Sequence, residues 1–375
     1  MNIEQSRRTN MSLDSIVFKI LPQDGFYENL YFQTNPAYVN SPIHISKSTF
    51  KPDTVKIRHF YSLLHENVII LGLEVFVYLQ IYEDHINKLV YVSKCDTTGL
   101  KKISFKINEI LEPVLKFMID YNDYRIRPKK EKSITPRENP SPYFRLKKLC
   151  SQLPEAYSSL KYYNDLPPRH LDIEYRNLPP LRTTKLYIFT RPAKEYLFPN
   201  SSLNSGKHLI SGSALLNWWM KIVDKITIGW ERRLLVPGLD SRTFVRKFEN
   251  WQDGHIFEET EEEKSAVNSI PIFPDDPKGR FMEQLVVENR ISKMSISRFM
   301  MELAYRQEFL GDTVGIIGCT CNESSDIQTD AEGTKAVKLI TIREYKEFIN
   351  EIKSIDFSNS DEVINFVTQY KSSVI

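Results

Sequence analysis

The chain has 375 residues, enough for one large domain or two ordinary ones at ~100–200 residues each. Hydrophobic residues make up 41% and charged residues 26%, which excludes a disordered tail protein and a fibrous one. Fifty basic and 48 acidic side chains leave a net charge of +2, which excludes a protein that coats nucleic acid over its whole surface.

Aromatic residues, 19 Tyr and 21 Phe against 13 Gly, favour a tightly packed interior with bulky pocket walls over a glycine-cradled nucleotide site. The four cysteines, Cys95, Cys150, Cys319 and Cys321, are too few and too unevenly spaced for a disulfide framework and point to a reducing compartment. Cys319 and Cys321 form a CxC pair with no second cluster, so they read as ordinary thiols and no metal is expected. The amino terminus lacks the apolar core of a secretory signal. The most apolar stretch, 68–73, is ended by Glu74, far short of the ~20 residues that cross a bilayer.

In chain order, Glu28-Asn29-Leu30-Tyr31-Phe32-Gln33 spells the recognition sequence of a potyviral protease used to remove tags. The flanking residues continue in the same style and no affinity tag precedes it, so the segment reads as native. Residues 55–80 read as strands. The stretch 68–79 is dense in Val, Ile, Leu, Phe and Tyr, and 89–92 resumes the pattern after the polar interval 83–88, predicting a hairpin. Asp96-Thr97-Thr98-Gly99 carries turn chemistry, and Ile103-Ser104-Phe105-Lys106 follows as an edge or a strand-to-helix entry. Ile107, Ile110, Leu111, Val114, Leu115 and Met118 recur at three and four residues and predict a helix, with Pro113 a bend in an early turn.

Residues 127–148 hold Arg127, Lys129, Lys130, Lys132, Arg137, Arg145, Lys147 and Lys148 against Glu131 and Glu138, with prolines interspersed. This reads as a basic mobile loop, either a solvated face or a docking element for an acidic partner. A buried strand over 186–190 leads into a turn at Arg191-Pro192-Ala193, and 215–228 is helical. Trp218 and Trp219 point about 100° apart on that helix, so one packs while the other is free to line a site. Glu258, Glu259, Glu261, Glu262 and Glu263 precede Ile270-Pro271-Ile272-Phe273-Pro274, which its prolines keep extended. One or two amphipathic helices follow over 281–309, with Leu285, Val286, Ile291, Met294, Ile296, Phe299, Met300 and Leu303 as the apolar face. Residues 322–335 read as polar and disordered. Helices over 343–355 and 361–371 close the chain, the second entered through Ser358-Asn359-Ser360. Intermixed strands and helices without a linker predict a single mixed α/β or α+β unit.

Two clusters carry chemistry. In Phe273-Pro274-Asp275-Asp276-Pro277-Lys278-Gly279-Arg280, an extended backbone would send the two carboxylates to opposite faces, away from a shared metal. One reading is a salt-bridged structural turn. In the other, one carboxylate faces a pocket and handles a proton from an amine, tuned by partly buried Lys278 and Arg280. The second cluster is 189–199 with Lys207-His208 and Trp218-Trp219. Its aromatic walls edged by bases suit a ligand apolar at one end and phosphorylated at the other; a surface histidine and core tryptophans are the plainer reading. No P-loop, GxGxxG, GxSxG or HExxH occurs, against nucleotide hydrolysis, dinucleotide redox, serine hydrolysis and zinc proteolysis.

His59-Phe60-Tyr61-Ser62-Leu63-Leu64-His65, Leu73-Glu74-Val75-Phe76-Val77-Tyr78, Val92-Ser93-Lys94-Cys95-Asp96-Thr97, residues 189–199, Trp218-Trp219 and residues 273–281 occur in this order. Together they resemble the fungal regulator-of-Ty-transposition histone H3 lysine acetyltransferases over roughly residues 11–309. Met11-Ser12-Leu13 matches the family's usual start, so residues 1–10 are expected to be an extension of a single acetyltransferase domain over 11–375, with the basic loop at about 127–175. The resemblance implies a mixed α/β fold, a central sheet wrapped by helices, similar to CREB-binding-protein type acetyltransferases. It implies acetyl-CoA as co-substrate, no metal, a nuclear location, and H3–H4 presented by Nap-family and anti-silencing type chaperones, in nucleosome assembly and the DNA damage response. No membrane and no sequence-specific nucleic acid are expected as partners.

Carried over by motif, Cys95, Asp96, Thr97, Lys102, Ile103, Ser104, Phe105, Lys106, Phe189, Arg191, Ala193, His208, Leu209, Ile210 and Trp218 would hold acetyl-CoA. Lys102, Lys106, Arg191 and Lys207 suit its phosphates, and Phe189, Ala193 and Trp218 its pantetheine arm. A substrate ammonium of pKa ~10.4 must lose a proton before it attacks a thioester. Asp276 is expected to accept or orient that proton, Asp275, Asp96, Tyr196 and Trp219 to complete the active site, and Lys278 to be acetylated by the enzyme itself. The turn after Asp96 is slightly shorter than in the family, Gly279 stands where Ala occurs, and a strongly basic tail is missing from 356–375. A histone-binding or chaperone-adaptor protein that keeps the fold without the activity is the competing reading; a magnesium phosphoryl transferase is disfavoured by the missing phosphate loop.

Overall fold

A computed structural model describes residues 12–23, 25–43, 52–121, 179, 181–257, 265–291, 294–306, 311–323 and 338–374. The strands are β1 (Tyr27–Thr34), β2 (Ala37–Tyr38), β3 (Asp53–His65), β4 (Val68–Ile81), β5 (His85–Thr97), β6 (Leu181–Thr190), β7 (Glu231–Leu235), β8 (Trp251–Asp253), β9 (Gly315–Glu323) and β10 (Lys338–Ile340). They form one sheet in the order β10-β1-β3-β4-β5-β6-β9-β7-β8, with β2 beside β3. The pairs β1/β10, β5/β6 and β7/β8 are parallel and the rest antiparallel. The sheet is therefore mixed.

Every residue of β4 is buried, because helices cover both faces and a strand packed on both sides reads as an unbroken apolar run. On one face lie α1 (Leu13–Val17), α2 (Ile107–Asp120) and α3 (Gly212–Ile226), packed on Val55, Ile57, Tyr61, Leu73, Val75 and Val77. The other face carries α4 (Pro277–Val287), α5 (Ile296–Ala304), α6 (Ile342–Ser354) and α7 (Ser360–Val374), which meet Phe32, Phe60, Phe76, Tyr78, Tyr91 and Tyr187. The mixed α/β character agrees with the intermixed strand and helix patterns, and the central sheet wrapped by helices with what the family resemblance implies.

The apolar stripe of α2 is buried as its periodicity predicts, through Ile110, Leu111, Val114, Leu115 and Met118, and Pro113 lies inside the helix. The one or two helices expected over 281–309 are two, α4 and α5, the first beginning earlier, at Pro277. The turn between β4 and β5 is tighter than the polar interval 83–88: strand pairing already includes Ile86, Asn87 and Lys88. Lys88 is drawn in because its ammonium donates to the carbonyls of Ile119 (2.9 Å) and Tyr121 (2.7 Å) at the end of α2. The protease-like segment is β1, with Phe32 fully buried and stacked on Phe60 at 5.4 Å; it is an internal strand of the sheet. The basic loop at 127–175, the acidic run 258–263 and most of 322–335 lie outside the described residues, although Asn322 and Glu323 continue β9.

Candidate active site

Beside β4, β5 stays paired to its end at Leu71↔Thr97, and β6 stays paired with β9 to Thr190↔Gly315. Between β5 and β6, pairing stops at Val92↔Ile188. These parallel neighbours part at their carboxyl ends, the position where open α/β sheets receive ligands. Lys94, Cys95, Asp96 and Thr97 descend one side of the parting and Phe189 the other.

Asp96 is buried and organises this end of the sheet. Its Oδ2 accepts from the backbone N–H groups of Tyr196 (2.8 Å), Leu197 (2.9 Å) and Phe198 (3.3 Å). Its Oδ1 accepts from Thr97 N (2.9 Å) and from Lys207 Nζ (2.8 Å), which also donates to Ser201 Oγ at 2.6 Å. The Lys207 side chain is 5% exposed, so it is not a solvent-facing base awaiting a phosphate. Backbone packing seals the latch: a Cβ on Gly206 would lie 2.4 Å from Gly99 O, and one on Gly72 would lie 2.6 Å from the Phe198 ring. Gly72 is the partner of Asp96 across the ladder, so its missing side chain is what lets Phe198 lie down beside the carboxylate.

Asp275 and Asp276 sit on a turn, with Asp275 at φ 58°. Their carboxylates go to different cations. Exposed Asp275 pairs with Lys94 at 3.1 Å; packing around it works to raise its pKa, and the Lys94 ammonium outweighs this and holds it below the ordinary carboxylate value. Asp276 caps α4 by accepting from Lys278 N (3.0 Å), and its other oxygen meets Lys278 Nζ at 2.5 Å. Both partners are buried, at 0% and 4% side-chain exposure. The Lys278 ammonium also lies 5.0 Å from the centre of the half-buried Phe189 ring. Arg280, expected to share that burial, is exposed, because it lies on the outer face of the first turn of α4.

The remaining expected residues separate by environment. Cys95 is half-buried, and burial followed by the neighbouring Asp96 charge pushes its thiol far above the ordinary value, so it is no thiolate nucleophile. Tyr196 donates to Arg191 O and accepts from Ala193 N (2.8 Å), closing the 191–196 turn; burial raises its pKa to about 12. Trp219 is 5% exposed in the core. Trp218, half-buried, packs on it edge to face at 5.1 Å, so the tandem indoles differ in burial, and it is Trp219, expected in the active site, that lies in the core. Lys102, Ser104, Lys106, Ala193, His208, Leu209 and Ile210 are exposed, whereas Thr97, Ile103, Phe105 and Arg191 are half-buried. Residues 103–106 are irregular chain entering α2, not an edge strand. Lys207 reaches Asp96 from 111 positions away, and no local pattern announces a contact at that separation.

Residues 13–373 match the model of the histone acetyltransferase KAT11-type domain. The chain is 53% identical over 361 residues to the histone acetyltransferase RTT109 of Candida albicans, covering 94% of this chain and 98% of that protein. It is 24% identical over 269 residues to the Schizosaccharomyces pombe histone acetyltransferase rtt109, covering 67% of this chain and 56% of the relative. The crystal structure of Rtt109 from Aspergillus fumigatus superposes with a TM-score of 0.66 at 18% identity over 96% of each chain, which speaks for the fold. With the domain model spanning nearly the whole chain, and a relative of more than half identity matched almost end to end, the chain belongs to the KAT11-type histone acetyltransferase family.

Proposed function

We propose that the protein transfers the acetyl group of acetyl-CoA to lysine side chains of histone H3, in H3–H4 presented by Nap-family and anti-silencing type chaperones in the nucleus. The observation that carries this reading is the way Lys278 is held. A lysine ammonium lies on a buried carboxylate at 2.5 Å and 5.0 Å from an aromatic ring centre, at the parted ends of β5 and β6. The walls of this cleft have the chemistry needed to seat and orient a substrate lysine. Acetyl-CoA supplies the thioester that the amine attacks. Half-buried Phe189 and Trp218 suit its apolar arm, and exposed Lys102 and Lys106 suit its phosphates.

Asp276 orients the incoming amine and favours its approach. Its carboxylate is engaged by Lys278, so acetylation of Lys278, which removes the ammonium charge, releases Asp276 for the substrate. Asp96 acts at one remove by holding the 196–198 turn. Mass spectrometry after incubation with acetyl-CoA and H3–H4, with and without chaperones, should find acetylated H3 and acetylated Lys278. Finding neither would favour the non-catalytic adaptor. Trp218→Ala should weaken acetyl-CoA binding about 10-fold or more, the value of a partly buried aromatic contact; unchanged affinity by calorimetry would take Trp218 out of the cleft wall.

A further inference from the structure

The segment between α6 and α7 is fastened to the loop that Asp96 organises. Phe357 is fully buried, its ring 4.7 Å from Phe198, and its N–H donates to Pro199 O at 2.9 Å. Asn204 completes the join: its Nδ2 donates to Thr98 O and to Phe357 O, each at 2.7 Å. One amide therefore ties three pieces of chain: the turn that follows Asp96, the loop 196–207, and the connection between the last two helices. Beyond Asn204 the loop continues through Lys207 N donating to Asn204 O at 3.0 Å, and the Lys207 ammonium returns to Asp96. The helices on either side are themselves seated on the sheet: Tyr345 of α6 donates to the buried Glu74 of β4 at 2.5 Å, and Val363 and Val367 of α7 are buried in the same core.

We infer that Asn204 is a positioning residue for acetyl transfer, clamping the C-terminal helix pair to the loop that walls the acetyl-CoA side of the cleft. The inference rests on the proposed placement of acetyl-CoA at the parted ends of β5 and β6. Asn204 acts through the chain it fastens: it fixes the loop that runs from Tyr196, placed by resemblance in the active site, to His208, Leu209 and Ile210, placed by resemblance on acetyl-CoA. Because the clamp includes Phe357, any displacement of the α6–α7 connection reaches the loop through Phe198 and Asn204 together.

Two variants test this in the full-length protein. Asn204→Ala removes both bonds without opening a core cavity and should raise KM for acetyl-CoA by up to about 10-fold, the limit reached when the full value of two lost hydrogen bonds must be spent re-ordering the loop on binding, with kcat changed by less than about 3-fold. Phe357→Leu keeps the site apolar and should move KM in the same direction by less. Hydrogen exchange should quicken in 196–207 of Asn204→Ala and stay unchanged in α2 and the β3–β4 hairpin. Exchange quickened throughout, or a KM equal to that of the parent, would overturn the inference. The parent protein supplies the control: if acetyl-CoA slows exchange in 196–207 of the parent and Asn204→Ala still binds normally, only the clamp fails. If acetyl-CoA leaves that loop unprotected in the parent, the placement of the cofactor fails and the clamp with it.

Discussion

Replacing Asp276 with asparagine should destabilise the protein by about 3–5 kcal/mol, the range found when one partner of a buried ion pair is removed. The cost arises at Lys278. Its side chain is 4% exposed and its ammonium sits 2.5 Å from the Asp276 carboxylate; once that carboxylate is a neutral amide, a buried cation remains with the Phe189 ring beside it and no carboxylate paired to it among the described residues. Asparagine keeps an oxygen able to accept from Lys278 N, so the cap of α4 survives and the loss is electrostatic. Chemical denaturation measures it.

The same substitution should abolish acetylation of H3, and a second variant separates the two effects. Asp276→Asn combined with Lys278→Met removes both charges and should recover most of the stability, since an apolar replacement of a buried pair is often neutral or better. Activity should stay absent if Asp276 acts on the substrate amine. A double variant that is stable and active would leave Asp276 with a structural role only.

The structure explains why some of this was readable from residues and some was not. The α2 stripe and the tandem tryptophans of α3 follow from a period of 3.6, which needs no knowledge of distant chain. The β3–β4–β5 run is equally local, each strand joined to the next by a short turn. By contrast, β9 carries the CxC pair and was invisible as a strand: its nine residues include two glycines, and its partner β6 lies more than a hundred residues earlier. The aspartate pair shows an intermediate case. Extended chain would send Asp275 and Asp276 to opposite faces; the chain instead turns at Asp275, yet the carboxylates still separate, one to Lys94 and one to Lys278. Lys207, a base suited by type to a phosphate, is instead committed by burial to Asp96.

That commitment leads to an asymmetry between the two halves of the latch. Lys207→Met leaves the Asp96 carboxylate with four backbone N–H donors, from Thr97, Tyr196, Leu197 and Phe198, so the buried anion keeps most of its solvation. Asp96→Asn keeps one oxygen, which serves either the Lys207 ammonium and Thr97 N or the three N–H groups of 196–198 but not both, turns the other acceptor position into a donor facing donors, and removes the charge that neutralises buried Lys207. The aspartate change should therefore be the more damaging, about 3–5 kcal/mol against about 1–3 kcal/mol for Lys207→Met. Both loosen the 196–198 turn, and a misplacement on the order of 1 Å at the cleft is enough to lower turnover about 100-fold. Denaturation of the two variants, with hydrogen exchange over 196–207 and turnover measured on the same samples, tests each step. Equal destabilisation, or a more damaging Lys207→Met, would show that the backbone donors do not hold the carboxylate as drawn. An Asp96→Asn protein with an ordered loop and no turnover would move Asp96 from the scaffold into the chemistry.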